Sequence, residues 1–187
     1  MRMSHGNSGV RLMLLKLIEL GEGSIDDYIV IEEKLRLHGK RFYLEDTDNW
    51  MDTRTLGINA GLIEGRSNGM VSWAVGVALE RHEAEKILKM ASRDKENAMK
   101  KIENSKWLKR NCLCHGNAGK LLVRDVIGEV SQGSERRKIA QTVLEQEEMY
   151  TMGLMTGISG VGYGLLVGKI PYLPNVLTCG LQIKQKK

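Results

Sequence analysis

Apolar residues recur every three or four positions along most of this chain, a spacing that is typical of helices with one buried face. Residues that start or end helices separate these stretches: Ser24, Ser92 and Ser134 can cap a helix, and Gly21 can end one. The pattern predicts seven helices. They cover residues 7–20, 25–37, 75–90, 93–102 with an extension to 108, 118–130, 134–150 and 158–169.

The same spacing predicts which side chains face the core. The expected inward positions are Val10, Leu14, Leu17 and Ile18 in the first helix, Ala98, Met99 and Ile102 in the fourth, and Ile139, Val143 and Leu144 in the sixth. His38 and Gly39 are expected to close the second helix. Residues 39–72 lack a helical period and are predicted to form a long loop. Residues 171–177 are predicted to be extended, because a residue before proline avoids the helical conformation.

A glycine-containing pattern recurs at the start of four predicted helices. Its copies are Ser4-His5-Gly6-Asn7-Ser8-Gly9, Ser72-Trp73-Ala74-Val75-Gly76, Leu113-Cys114-His115-Gly116-Asn117-Ala118-Gly119 and Thr156-Gly157-Ile158-Ser159-Gly160. The last three closing glycines lie 43 and 41 residues apart. Such a period is typical of repeated helix pairs, and the longer first interval fits one pair with a loop inserted. If the pairs lie side by side, their glycine-rich starts meet on one rim around a pocket. That pocket would gather the side chains of His5, Trp73, Cys114 and His115.

Composition supports helices and one domain. Two prolines, few aromatic residues (5%) and many Leu, Met, Lys and Glu residues favour helix over sheet. A hydrophobic share of 42% and a charged share of 27% are ordinary for a globular protein. We therefore expect an all-α fold built of helix hairpins, in one domain over residues 1–187.

Charge and cysteine content exclude several classes of protein. The net charge is +5, but the basic residues are interleaved with acidic ones. The chain has no basic stripe with interleaved aromatic residues, the pattern that would indicate nucleic-acid binding. No stretch approaches the length of a membrane span, and we expect no signal peptide, because Arg11, Lys16 and Glu19 interrupt the first apolar run. Three cysteines cannot all pair internally, which argues against a disulfide scaffold and favours the cytoplasm.

Cys114 and His115 are the candidate metal ligands. A thiolate and an imidazole nitrogen are the two donors that zinc prefers, and neighbouring residues at a helix start can turn both toward one point. A purely structural role for the pair stays open on this evidence. Cys112 and Cys179 are interpreted as ordinary thiols, and His38 and His82 as surface residues.

The motifs of this chain resemble those of lanthionine synthetase C-like cyclases. The resemblance is greatest to the C-terminal part of the cyclase domain in the bifunctional class II enzymes that modify lantibiotic precursors. It rests on residues 5–9, Asn49-Trp50-Met51-Asp52-Thr53-Arg54, residues 113–119, Gly153-Leu154-Met155-Thr156-Gly157-Ile158-Ser159-Gly160-Val161-Gly162-Tyr163-Gly164-Leu165-Leu166 and Leu173-Pro174-Asn175-Val176-Leu177. These five motifs follow the order of the family.

The resemblance implies an α/α toroid with zinc at its centre. Such enzymes add a cysteine thiol of a precursor peptide to a dehydroalanine or dehydrobutyrine of the same peptide, which closes a thioether ring. By this resemblance Cys114 and His115 are zinc ligands, and His5 is the catalytic acid or base. Asp52 and Arg54 match a recurrent segment that a salt bridge or turn explains equally well.

The chain departs from the family pattern in two respects. Trp73 is followed directly by Ala74, where the family has a further zinc-ligating cysteine; Cys112 is the nearby thiol that could replace it. The chain also begins at the first histidine motif, so we expect about half of the ring, with another chain supplying the rest. Two functions stay open: a cyclase of impaired activity, or a non-catalytic peptide-binding or structural remnant. A carbohydrate-active toroid would need paired carboxylates near a cleft, for which Asp52 is a weak candidate.

Overall fold

The chain forms two compact units, residues 1–105 and residues 106–187. The computed structural model describes residues 7–41, 43–44, 49–50, 71–105, 107–128, 133–145, 151–167, 169–170 and 173–178. Within these ranges both units are built almost entirely of helices, which confirms the prediction of an all-α fold.

The first unit contains four helices and a pair of very short strands. In chain order they are α1 (Asn7–Glu19), α2 (Ile25–Arg41), β1 (Tyr43–Leu44), β2 (Asn49–Trp50), α3 (Val71–Leu88) and α4 (Arg93–Asn104). The strands pair antiparallel, with Tyr43 opposite Trp50. Helix α3 packs against both α1 and α4, and α2 packs against α1. A cluster of Leu15, Tyr28 and Ala84 is fully buried between α1, α2 and α3.

Local signals set the ends of these helices, as predicted. Gly21 terminates α1 two residues beyond its last helical residue: with a φ of +80°, its N–H donates to the Ile18 carbonyl, and the N–H of Glu22 donates to the Leu17 carbonyl. The Ser24 hydroxyl accepts from the N–H of Asp26, and the Ser92 hydroxyl accepts from the N–H of Asp94 at the start of α4.

The second unit contains three helices and one 3₁₀ turn. They are α5 (Asn117–Ile127), α6 (Gly133–Glu145), α7 (Ile158–Val167) and the 3₁₀ turn Val176–Thr178. Helix α7 packs against both α5 and α6. Gly128 ends α5 with a φ of +93°, in the left-handed conformation that favours glycine.

Several predicted boundaries are wrong. Helix α2 runs through His38 and Gly39 to Arg41, since a glycine inside a helix costs only about 1 kcal/mol relative to alanine and does not by itself end the helix. Helix α3 begins at Val71, so Gly76 lies inside the helix and not at its start. Helix α4 ends at Asn104 and does not extend to 108. Residues 43–50 include the strand pair, and the predicted extended segment after Pro171 contains the 3₁₀ turn.

The predicted buried face is correct for α4 and only partly correct for α1. Ala98, Met99 and Ile102 are buried in α4 as expected. In α1, Leu14 and Ile18 pack against the buried cluster as predicted, whereas Val10 and Leu17 are 52% and 41% exposed. The most deeply buried side chains of α1 are Ser8, Arg11, Leu12 and Leu15. Both faces of α1 carry apolar residues, so periodicity could not choose between them. In α6, Ile139 is buried as predicted, but Leu144 is 85% exposed.

No helix among the described residues is both long enough and apolar enough to cross a membrane.

Candidate functional site

The candidate ligands Cys114 and His115 lie in a turn just before α5, and the side chain of Asn117 closes the loop that contains them. Its Oδ1 accepts from the N–H of Leu108 (3.0 Å), and its Nδ2 donates to the Leu108 carbonyl (2.9 Å) and to Asn111 Oδ1 (2.8 Å). Asn117 is completely buried. One amide therefore ties the start of the loop to the first residue of α5.

The loop also satisfies the N–H groups of the first helical turn, which have no partner inside a helix. Asn117 N–H donates to the carbonyl of Arg110 (3.0 Å) and Ala118 N–H to that of Asn111 (3.3 Å). The backbone comes so close that a Cβ at Gly116 would meet the backbone of Cys112, and a Cβ at Gly119 would meet the Leu113 carbonyl. The glycines are required by this close approach.

The same local structure recurs before α7, which gives the sequence repeat a structural meaning. Ile158 N–H donates to the carbonyl of Thr151 (2.8 Å), as Asn117 N–H does to Arg110. A Cβ at Gly157 would meet the Thr151 carbonyl, and one at Gly160 would meet the Leu154 carbonyl. The two loops therefore share one architecture, although Ile158 has no amide with which to close its loop.

The two helix starts contact each other inside the second unit. Cys114 N–H donates to the Met155 carbonyl at 2.9 Å, and the Leu113 side chain lies against Gly160 and Gly164 of α7. This part of the predicted rim is present. His5 and the Trp73 side chain, the other predicted members of the pocket, lie outside the described residues.

The two donors differ in their surroundings from the nearby Cys112. Cys114 and His115 are partly exposed, whereas Cys112 is 5% exposed. Across the described ranges, no three His, Cys, Asp or Glu side chains come together as a metal site. The interpretation of Cys112 as an ordinary thiol stays a prediction. The chemistry of the remaining pair, one thiol and one imidazole, fits half of a tetrahedral zinc site.

Arg110 is a member of this site that the sequence analysis missed. Its Nη1 lies 3.3 Å from Nε2 of His115. No sequence signal marks this contact, because it depends on the conformation of the loop that Asn117 closes.

A buried polar cluster in the first unit was also missed. Arg11 Nη2 lies 3.2 Å from Oε2 of Glu80, whose Oε1 accepts from the Tyr28 hydroxyl (3.0 Å). Arg81 joins Glu80 to Glu32, which it contacts at 2.8 Å. Burial raises the pKa of Glu80 and lowers that of Arg11, against their mutual attraction. The available signal was the spacing of Ser8, Arg11, Leu12 and Leu15, which places Arg11 on one helix face with apolar residues.

A family model described as lanthionine synthetase C-like protein matches residues 2–177. The chain belongs to this family. The match spans both units, and with their helices it confirms the predicted fold class, all-α of the α/α toroid type. No curated protein and no solved structure matches the chain. The prediction of a single domain over residues 1–187 stays a prediction.

Proposed function

We propose that this chain is a zinc-dependent cyclase that closes thioether rings in a lantibiotic precursor peptide. The observation that carries the proposal is the adjacent pair Cys114–His115, held partly exposed at the start of α5 in a chain of the lanthionine synthetase C-like family. We further propose that the chain corresponds to the C-terminal part of the cyclase domain of a class II enzyme.

Two residues would hold the ion and one would move the proton. Cys114 and His115 supply a thiolate and a neutral nitrogen, the donors that suit zinc. When bound, zinc would keep the cysteine of the precursor peptide as a thiolate, which is the form that attacks a dehydroalanine or dehydrobutyrine. The attack forms the C–S bond and leaves an enolate, and a proton delivered to carbon completes the ring. We assign that proton to His5, at the first copy of the glycine pattern.

The structure of the turn supports this assignment of ligands. The Asn117 amide and Gly116 hold the loop against α5, so the backbone at Cys114 and His115 is fixed before a metal arrives. A fixed backbone loses little conformational freedom on binding, which favours metal affinity.

The second candidate is a non-catalytic remnant that binds peptide or supports a partner chain. One observation favours it: within the described ranges, no third His, Cys, Asp or Glu side chain joins Cys114 and His115 to form a metal site. With Ala74 after Trp73, a reduced ligand set would weaken zinc binding and impair ring closure. In either case the proposed partner is a precursor peptide.

The zinc content of the purified chain tests the proposal. We expect about one zinc per chain by atomic emission, retained in Cys112→Ala and lost in Cys114→Ala and His115→Ala. Cys112→Ala is the matched control, because it removes a thiol two residues away that the proposal does not use. Circular dichroism should show that all variants remain helical.

Ring closure is then measured on a dehydrated precursor peptide by mass spectrometry after alkylation of free thiols. Slow cyclisation by the unmodified chain, abolished in Cys114→Ala, would support the proposed cyclase activity. A chain that binds the peptide but does not bind zinc and does not cyclise the peptide would support the non-catalytic remnant. That result would contradict the proposed activity.

A further inference from the structure

We propose that Arg110 holds His115 in a state that cannot bind a metal, so that zinc must displace the guanidinium before the site is loaded. The inference rests on the proposed function, because it concerns the zinc ligand named there. It starts from the contact between Arg110 Nη1 and His115 Nε2, at 3.3 Å.

The direction of this hydrogen bond is fixed by the chemistry of arginine. A guanidinium has five N–H donors and no acceptor, so Nε2 of His115 must accept. A neutral imidazole carries one proton and one free lone pair, and the proton is then on Nδ1. The contact therefore selects the tautomer in which Nδ1 carries the proton and Nε2 is unprotonated.

Neither ring nitrogen of this tautomer is open to zinc while the contact lasts. The Nε2 lone pair is occupied by the Arg110 N–H, and Nδ1 bears a proton. Binding through Nε2 requires the guanidinium to leave. Binding through Nδ1 requires the proton to move to Nε2, which then cannot accept from Arg110. In both modes metal binding and the Arg110 hydrogen bond exclude each other.

The backbone keeps Arg110 beside the site even when its side chain is displaced. Its carbonyl accepts from Asn117 N–H at 3.0 Å, and it lies in the loop that the Asn117 side chain closes from Leu108. A full positive charge is thus tethered next to the ligand. Such a charge opposes the approach of a divalent cation, in addition to the hydrogen bond that must break.

The first test reads the tautomer of His115 without metal. Imidazole ¹⁵N chemical shifts of the zinc-free full chain should show a protonated Nδ1 and an unprotonated Nε2 for His115 in the unmodified protein. In Arg110→Ala this preference should disappear, while Lys109→Ala, which removes the neighbouring exposed charge, should leave it unchanged. A protonated Nε2 in the unmodified protein would overturn the inference.

The second test measures zinc affinity by competition with a chromophoric chelator. Losing a hydrogen bond that competes with the metal should tighten zinc binding by about three- to tenfold in Arg110→Ala. Lys109→Ala should bind as the unmodified chain does. Equal affinity in all three proteins would overturn this inference and leave the proposed function intact. Failure of all three to bind zinc would overturn both, even if the tautomer is as described.

Discussion

The guanidinium of Arg11 and the carboxylate of Glu80 form an ion pair inside the first unit, with Nη2 3.2 Å from Oε2 and both side chains almost wholly buried. The pair links α1 to α3, and the Tyr28 hydroxyl of α2 donates to the same carboxylate. Burial lowers the pKa of Arg11 and raises the pKa of Glu80, and both shifts favour the neutral form of the group. Desolvation therefore outweighs attraction, and each charge depends on the other for its place in the core.

Removing one partner should destabilise the fold more than removing both. Arg11→Met leaves the Glu80 carboxylate buried with Arg81 at 3.5 Å as its remaining close cation, and should lower the free energy of unfolding by about 3 kcal/mol. The double variant Arg11→Met/Glu80→Gln should recover part of that loss, because the buried carboxylate that lost the Arg11 charge is then neutral. Urea unfolding at neutral pH measures both. A double variant that is less stable than Arg11→Met would contradict this account.

This pair also explains why the core of the first unit was harder to predict than its helices. Helix ends depend on local residues such as Gly21 and Ser92, which a sequence shows directly. The buried face of α1 depends on Arg11 meeting Glu80, a residue of a distant helix. A helix with apolar residues on both faces has no local signal for the choice, so Val10 and Leu17 were wrongly placed inward.

His82 should make stability depend on pH. Burial lowers its pKa below the usual 6.5, and the charge of Lys95 lowers it further. Below pH 6.5 the unfolded chain therefore binds more protons at this residue than the folded chain. The stability that His82 contributes is fully present above pH 6.5 and is lost as the pH falls below it.

The measurement is the difference in unfolding free energy between the unmodified chain and His82→Gln. Across urea titrations from neutral pH downward, that difference should shift in favour of the variant once the pH falls below 6.5. Taking the difference cancels the titration of the other histidines. A difference that stays constant with pH would show that His82 has the same pKa in both states.

Two glycines of α7 should respond oppositely to alanine. At Gly162 a Cβ would meet nothing within 4 Å, so Gly162→Ala should stabilise the chain by about 0.5–1 kcal/mol through helix propensity. At Gly160 a Cβ would overlap the Leu154 carbonyl, so Gly160→Ala should destabilise it by about 1–3 kcal/mol. Thermal unfolding of both variants gives the signs. Stabilisation by both would mean that the glycine pattern reflects no close packing.

The candidate site was predictable in its residue types and not in its contacts. Adjacent Cys114 and His115 and the repeated glycines are visible in the sequence, and the structure gives the glycines near α5 and α7 one packing role. The contact of Arg110 with His115 depends on a loop conformation that no periodicity describes. The role of Asn117 was hidden for the same reason, since an asparagine before an apolar run also fits an ordinary helix start.

Asn117 should be the most sensitive residue of this loop. Its amide makes three hydrogen bonds in a fully buried position, two to the backbone of Leu108 and one to Asn111. Asn117→Ala removes all three and leaves the N–H and carbonyl of Leu108 without this partner, which should lower the free energy of unfolding by about 1–3 kcal/mol. Gln141→Ala, at an exposed amide of α6, is the control and should change little.

Asn117→Asp separates the two kinds of bond that the amide makes. The carboxylate can still accept from the Leu108 N–H but cannot donate to the Leu108 carbonyl or to Asn111. Hydrogen exchange at the Leu108 amide should therefore accelerate strongly in Asn117→Ala and less in Asn117→Asp. Equal protection in all three proteins would mean that the backbone bonds to Arg110 and Asn111 close the loop without the side chain. Faster exchange confined to this loop, with α6 unchanged, would identify Asn117 as the residue that fixes the turn carrying Cys114 and His115.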